Sequence, residues 1–189
     1  IGFRGASRDY SDQYRDGFAL ECQAIARLRG QMGFDNVIMM IPFCRTPEEA
    51  DNVLAVMKEN GLERGRDGLQ VYVMCEIPAN VVRAAEFAQR FDGFSIGSND
   101  LTQLTLGIDR DSDALAGLFR EDDPAVLWMI ETVIHEAHKA GKKVGFCGQA
   151  PSNDPGYAQR LVGFGIDSIS VTPDSFVQVL RNVAKAEES

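Results

Sequence analysis

The sequence predicts an α/β fold built on a parallel sheet. Short β-rich runs alternate along the chain with amphipathic runs of helical period, the βαβα order that folds as a parallel sheet flanked by helices. Most of the β-like runs are continuously apolar, as in Val37-Ile38-Met39-Met40-Ile41, which is how strands buried on both faces read. Several of the helical runs open on start signals.

Residues 1–4 read as the end of a strand, and a helix is predicted over 11–31. A strand follows at 36–42. Thr46-Pro47-Glu48-Glu49 then puts a hydroxyl at an N-cap, Pro in the first turn and Glu at the capping-box position. Ala50, Val53, Leu54 and Met57 form that helix's apolar stripe. A strand at 69–77 precedes a helix at 80–89, and a strand at 93–97 precedes a helix at 101–106. Asp123-Pro124 opens a helix with Val126, Ile130, Val133, Ile134 and Ala137 facing inward. A strand at 143–147, a helix at 156–164 and a strand at 168–171 follow. Thr172-Pro173 opens the last helix, with Phe176, Val177, Leu180 and Val183 as its stripe.

Two layouts fit this order. One is an open doubly wound sheet with its ligand at a switch point. The other is a (β/α)8 barrel, which normally takes about 250 residues. With about six βα units in 189 residues, a barrel would be truncated at its N-terminal side, its first two strands lying upstream of Ile1. The chain opens without a start Met or a signal peptide's apolar stretch, and is expected to be cut from a longer one. Residues 1–189 read as one domain, with no repeat or linker.

Composition excludes several classes. Lys and Arg number 19 against 28 Asp and Glu, a net charge of −9, so no bulk basic field draws nucleic acid or an anionic membrane. A hydrophobic share of 44% is enough for a core and argues against disorder. No apolar run approaches the roughly 18–20 residues of a membrane span. Cys22, Cys44, Cys75 and Cys147 are scattered, without metal-ligand spacing, and read as reduced thiols of a cytoplasmic protein.

The residues with chemical potential fall at strand ends, which share one rim in a parallel sheet. Arg4, Glu76, Ser98-Asn99-Asp100 and Cys147 each close a β-like run. Glu76 ends an apolar strand, an expensive place for an unpartnered carboxylate. It is either paired with an Arg or a helix N-terminus, or is a metal ligand with Asp100 as the second carboxylate. Two carboxylates plus water suit Mg²⁺. Gly97-Ser98-Asn99-Asp100 is either a capped turn or a small-residue loop that receives an anionic oxygen. Cys147 is either a buried hydrophobe or an acid/base thiol. His135 and His138 lie off their helix's apolar stripe and read as solvated.

Gly2-Phe3-Arg4-Gly5-Ala6-Ser7-Arg8, Met74-Cys75-Glu76-Ile77-Pro78, residues 92–107 and Cys147-Gly148-Gln149 resemble, in order along the chain, the PEP-utilising enzymes. Gln149 followed by Pro151-Ser152 resembles the phosphoenolpyruvate synthase branch; the dikinase and enzyme I branches usually carry Glu there. Ala150 and Asn153 depart from that branch, which more often has Gly and Asp. The resemblance implies the C-terminal (β/α)8 TIM-type barrel that binds pyruvate and phosphoenolpyruvate. It implies Glu76 and Asp100 as Mg²⁺ ligands at the substrate and Arg4 on the phosphoryl group. Gly97, Ser98 and Asn99 match the substrate loop, Cys147 the acid/base at the methyl carbon, and Arg110 a further substrate arginine. The implied reaction transfers a phosphoryl group from phosphohistidine to pyruvate enolate. The partners would be the phosphohistidine and ATP-binding domains of a full-length chain and a second copy in a homodimer. Without those domains this piece is expected to be inactive in the overall reaction. A dikinase-like enzyme and a non-catalytic dimerisation module are the alternatives.

Overall fold

Every predicted strand but the first pairs into one sheet. A computed structural model describes residues 1–188. Strands β1 (Met39–Ile41), β2 (Val71–Cys75), β3 (Gly93–Gly97), β4 (Lys143–Cys147) and β5 (Ser168–Ser170) lie side by side in chain order, all parallel. This order never reverses, so the sheet has no switch point, and the doubly wound alternative falls away. The sheet is a barrel wall that does not close, with β1 and β5 as its edges.

Residues 1–4 are not a strand, contrary to the sequence reading. Gly2 and Gly5 take positive φ values of 81° and 66°, which break an extended path. The segment leads instead into the short helix α1 (Ala6–Asp9), tied to the end of β1 where Ala6 N–H donates to Pro42 O at 3.2 Å.

The helices cover one face of the sheet. They are α2 (Arg15–Gly30), α3 (Pro47–Glu59), α4 (Pro78–Val82), α5 (Ala84–Arg90), α6 (Ser98–Leu106), α7 (Pro124–Lys139), α8 (Ala150–Asn153), α9 (Pro155–Gly163) and α10 (Phe176–Glu187). Thr46 Oγ1 accepts from Glu49 N–H at 3.2 Å, and Glu49 reaches back to Arg45 N–H at 2.8 Å, so the predicted box closes one residue early. Asp123 caps α7 through Ala125 N–H at 2.8 Å. The whole α7 stripe, Val126, Ile130, Val133, Ile134 and Ala137, is fully buried; each of its larger side chains contributes about 1.5–3 kcal/mol.

Two expectations about burial are corrected. The strands are not covered on both faces. Val71, Val73 and Cys75 are buried beneath the helices, while Tyr72 and Met74 are only half-buried on the other face of the unclosed wall. The last helix starts at Phe176, because Thr172 and Ser175 close a turn instead, Ser175 N–H donating to Thr172 O at 3.1 Å. Within it Val179 and Asn182 face inward, Asn182 donating to Pro155 O of α9 at 3.3 Å, while Phe176, Val177 and Leu180 are more than half exposed. None of the helices among the described residues is long and apolar enough to cross a membrane.

Candidate active site at the strand ends

The alternation of β2 decides where its last acid goes. With Val71, Val73 and Cys75 on the helix side, Glu76 turns to the open face at the carboxyl end of the sheet. It is only 5% exposed. Its Oε1 accepts Phe43 N–H at 2.6 Å. A Cβ on Gly97 would sit 3.1 Å from Oε2 and 3.0 Å from Met74 Sδ, so glycine at the end of β3 keeps room for the carboxylate.

The donor on Phe43 is held in place by its surroundings. Phe43 has φ 46°, unusual for a bulky residue. Two guanidinium groups approach its ring, Arg4 at 4.2 Å and Arg45 at 4.9 Å from the centroid. Gly5 permits the approach: a Cβ there would meet Phe43 Cβ and Pro42 O at 2.5 Å. Asn80, fully buried, ties the next loop to this one. Its Oδ1 accepts from Ile77 N–H at 3.0 Å and Glu76 N–H at 3.3 Å, and its amide donates to Cys44 O at 2.7 Å.

Asp100, in the first turn of α6, is 7% exposed. Arg4 grips it with both arms, at 3.0 Å and 3.1 Å, and Arg110 Nη1 lies 4.0 Å from Oδ2. The arginine partner considered for Glu76 thus falls on Asp100. The pairing raises the Arg4 pKa. Burial pushes Glu76 up to about 7, and the neighbouring Asp100 adds to the rise, while the Phe43 amide and Arg4 oppose it. Among the described residues no group of three or more His, Cys, Asp or Glu side chains is placed to hold a metal. The available donor set is two adjacent buried carboxylates, with Arg4 committed to one and the other left short of positive charge. Such an oxygen-only pair fits Mg²⁺, which keeps several water ligands.

Cys147 is the register partner of Gly97 and is exposed on the open face. Burial pushes Cys22 up to about 11 and Cys44 up to about 12, and raises Cys75 as well, leaving those thiols inert. Arg4, Asp100 and Arg110 line an open hollow of about 580 Å³. Asn99, Arg110 and Gln149 line the next one. The structure therefore brings Arg4, Glu76, Gly97, Asp100 and Arg110 together, with Asn99 and Cys147 beside them. Ser98 is fully buried, and its hydroxyl donates to Glu121. His135 and His138 are exposed, as read from the sequence.

Sequence reasoning missed Phe43, Arg45, Asn80 and Glu121. Asn80 stands two residues after Pro78, where a helix-start signal was available. Glu121 gives no signal, since Arg120-Glu121-Asp122-Asp123 reads as a solvated run before a capped helix.

The description "PEP-utilising enzyme, PEP-binding domain" matches residues 1–188. The chain is 55% identical over 189 residues to a protein named phosphoenolpyruvate synthase from Synechocystis sp., covering 100% of this chain and 23% of that protein. It is 56% identical over 188 residues to the protein of that name from Aquifex aeolicus, covering 100% and 22%. For the Escherichia coli protein the identity is 49% over 188 residues, covering 100% and 24%. The chain thus spans less than a quarter of the length of these relatives. Among solved structures, a citrate lyase from Burkholderia xenovorans superposes with a TM-score of 0.59 at 17% identity, covering 88% of this chain and 64% of that one. An HpcH/HpaI aldolase from Desulfitobacterium hafniense gives 0.55 at 16% identity, covering 90% and 69%. Both have the TIM-barrel fold, and at these identities the likeness concerns the fold alone.

Proposed function

Because the chain belongs to the PEP-utilising enzymes, as their PEP-binding domain, we propose that it is the pyruvate- and phosphoenolpyruvate-binding part of a phosphoenolpyruvate synthase. The observation that carries this reading is the meeting of Glu76, Asp100 and Arg4, from three distant segments, at the carboxyl ends of the strands. In a full-length chain, the domain would present pyruvate enolate to a phosphohistidine carried by another domain.

Each group has a task set by its chemistry. Glu76 and Asp100 would hold Mg²⁺, which supplies Lewis acidity where negative charge develops on the substrate oxygens. Arg4, held by Asp100 through one N–H of each Nη, would turn its remaining N–H donors to a phosphoryl group, and Arg110 adds positive charge at the same hollow. The backbone N–H groups at the start of α6 have no intrahelical partner and suit an anionic oxygen. Cys147 takes the methyl proton in one direction and returns it in the other. ATP-binding and phosphohistidine domains, a second copy of the chain and a cytoplasmic setting complete the proposal.

Oxalate, which has the shape and charge of the enolate, tests it by calorimetry on the intact protein. Binding should require Mg²⁺ and should be lost in Glu76→Ala and in Asp100→Ala. Oxalate binding that needs no divalent cation, or that survives both substitutions, would sink the assignment.

A further inference from the structure

Ser98 opens α6 with no exposed surface, and its hydroxyl donates to Glu121 Oε1. Glu121 lies in the loop before α7 and is partly buried. Its backbone carbonyl accepts from the Tyr157 hydroxyl at 3.1 Å. The Tyr157 ring is buried and packs on Phe146 of β4, with centroids 5.6 Å apart. On the other side of Ser98 lies Gly148, just past the end of β4, where a Cβ would overlap Ser98 Oγ. The serine hydroxyl is therefore walled in by one strand end and bonded to a carboxylate anchored through the same strand.

A hydroxyl has a single proton to donate. With that proton on Glu121, Ser98 Oγ has none to offer an anion in the mouth. An anionic ligand at this turn would meet backbone N–H groups instead, and these bind well only if the turn is fixed. A carboxylate so near an anion site repels the ligand, so its presence calls for a compensating task, and the bond to Ser98 provides one.

Resting on the function proposed above, we infer that Glu121 is a positioning residue. It holds the Ser98 side chain and so sets the 97–100 turn, and Ser98 serves the ligand by fixing that turn rather than by offering its hydroxyl.

The test is a double-mutant cycle in the full-length protein, read as the dissociation constant for oxalate with Mg²⁺. Glu121→Ala and Ser98→Ala should each weaken binding about tenfold, which is about 1.4 kcal/mol. The double variant should be no weaker than the worse single one. Glu121→Gln keeps an acceptor oxygen for Ser98 and the size of the side chain, and should return the affinity to within about threefold of the parent, less than 1 kcal/mol. A general structural defect would not be repaired in that way. Additive effects, unchanged affinity in the single variants, or a Glu121→Gln variant as weak as Glu121→Ala would overturn the inference alone. A parent protein that binds no oxalate with Mg²⁺ would remove the functional reading and the inference with it. Ser98→Ala removes one atom only, and decides the matter if Glu121→Ala fails to fold.

Discussion

Replacing Asn80 with alanine should loosen the carboxyl end of β2 more than any surface change nearby. Its side chain is fully buried and satisfies three backbone groups: Glu76 N–H, Ile77 N–H and Cys44 C=O. An unpaired buried polar group costs about 1–3 kcal/mol. Water entering the vacated space would recover part of that, so a loss of about 3–5 kcal/mol is expected. Against the roughly 5–15 kcal/mol that hold a typical domain together, this is a large fraction. The assay is amide hydrogen exchange of the intact protein, read by mass spectrometry over 76–77. A loss of about 3 kcal/mol should speed exchange there by about a hundredfold. Asn80→Asp keeps one acceptor but sets a second oxygen against the Cys44 carbonyl, and should open the loop to a similar extent. Exchange within about threefold of the parent in both variants, a change of less than 1 kcal/mol, would refute the idea that this amide fastens the two loops.

Three further outcomes are expected. Cys147→Ala should leave Mg²⁺-dependent oxalate binding intact while abolishing exchange of the pyruvate methyl protons in the full-length protein; continued exchange would reassign the proton carrier. Gly5→Ala, at φ 66° and with its Cβ 2.5 Å from Pro42 O, must displace Phe43 and the amide it gives Glu76; oxalate affinity should fall by at least about tenfold, or 1.4 kcal/mol, and an unchanged affinity would show that the contact yields freely. Burial tends to raise the Asp167 carboxyl, but its hydrogen bonds from His138 and Val144 N–H outweigh that and hold it below the usual value. A lowered carboxylate contributes stability that is present above its unfolded pKa of about 3.9 and is lost as pH falls through the folded value. The gap in thermal midpoint between the parent and Asp167→Asn should therefore shrink as the pH drops below about 4, and a gap independent of pH would contradict the assignment.

Much of this arrangement was legible in the residues. Continuous apolar runs ending in Glu76, Gly97 and Cys147 located the rim, because strand ends converge in any parallel sheet. The α7 stripe was readable in full, since its burial follows helical period alone. The segment 1–4 misled because its β-rich letters say nothing of the positive φ at Gly2 and Gly5. The α10 stripe misled because amphipathicity marks a face for burial but does not name its cover. Asn80, Phe43 and Glu121 stayed hidden for another reason: their roles are contacts across 36, 33 and 23 residues of sequence, which no local pattern records. Ser98 was found by position, while the burial of its hydroxyl against Glu121 is one more such distant contact.

The in-and-out alternation of β2 carries a consequence for how this chain tolerates length changes. Deleting a single residue between Val71 and Cys75 would reverse the parity of everything beyond it, sending the Glu76 carboxylate beneath the helices and a thiol to the mouth. Removing two would restore the sidedness and merely shorten the wall. Odd and even deletions in this strand should therefore differ more than their size suggests, and natural variation in its length should come in pairs.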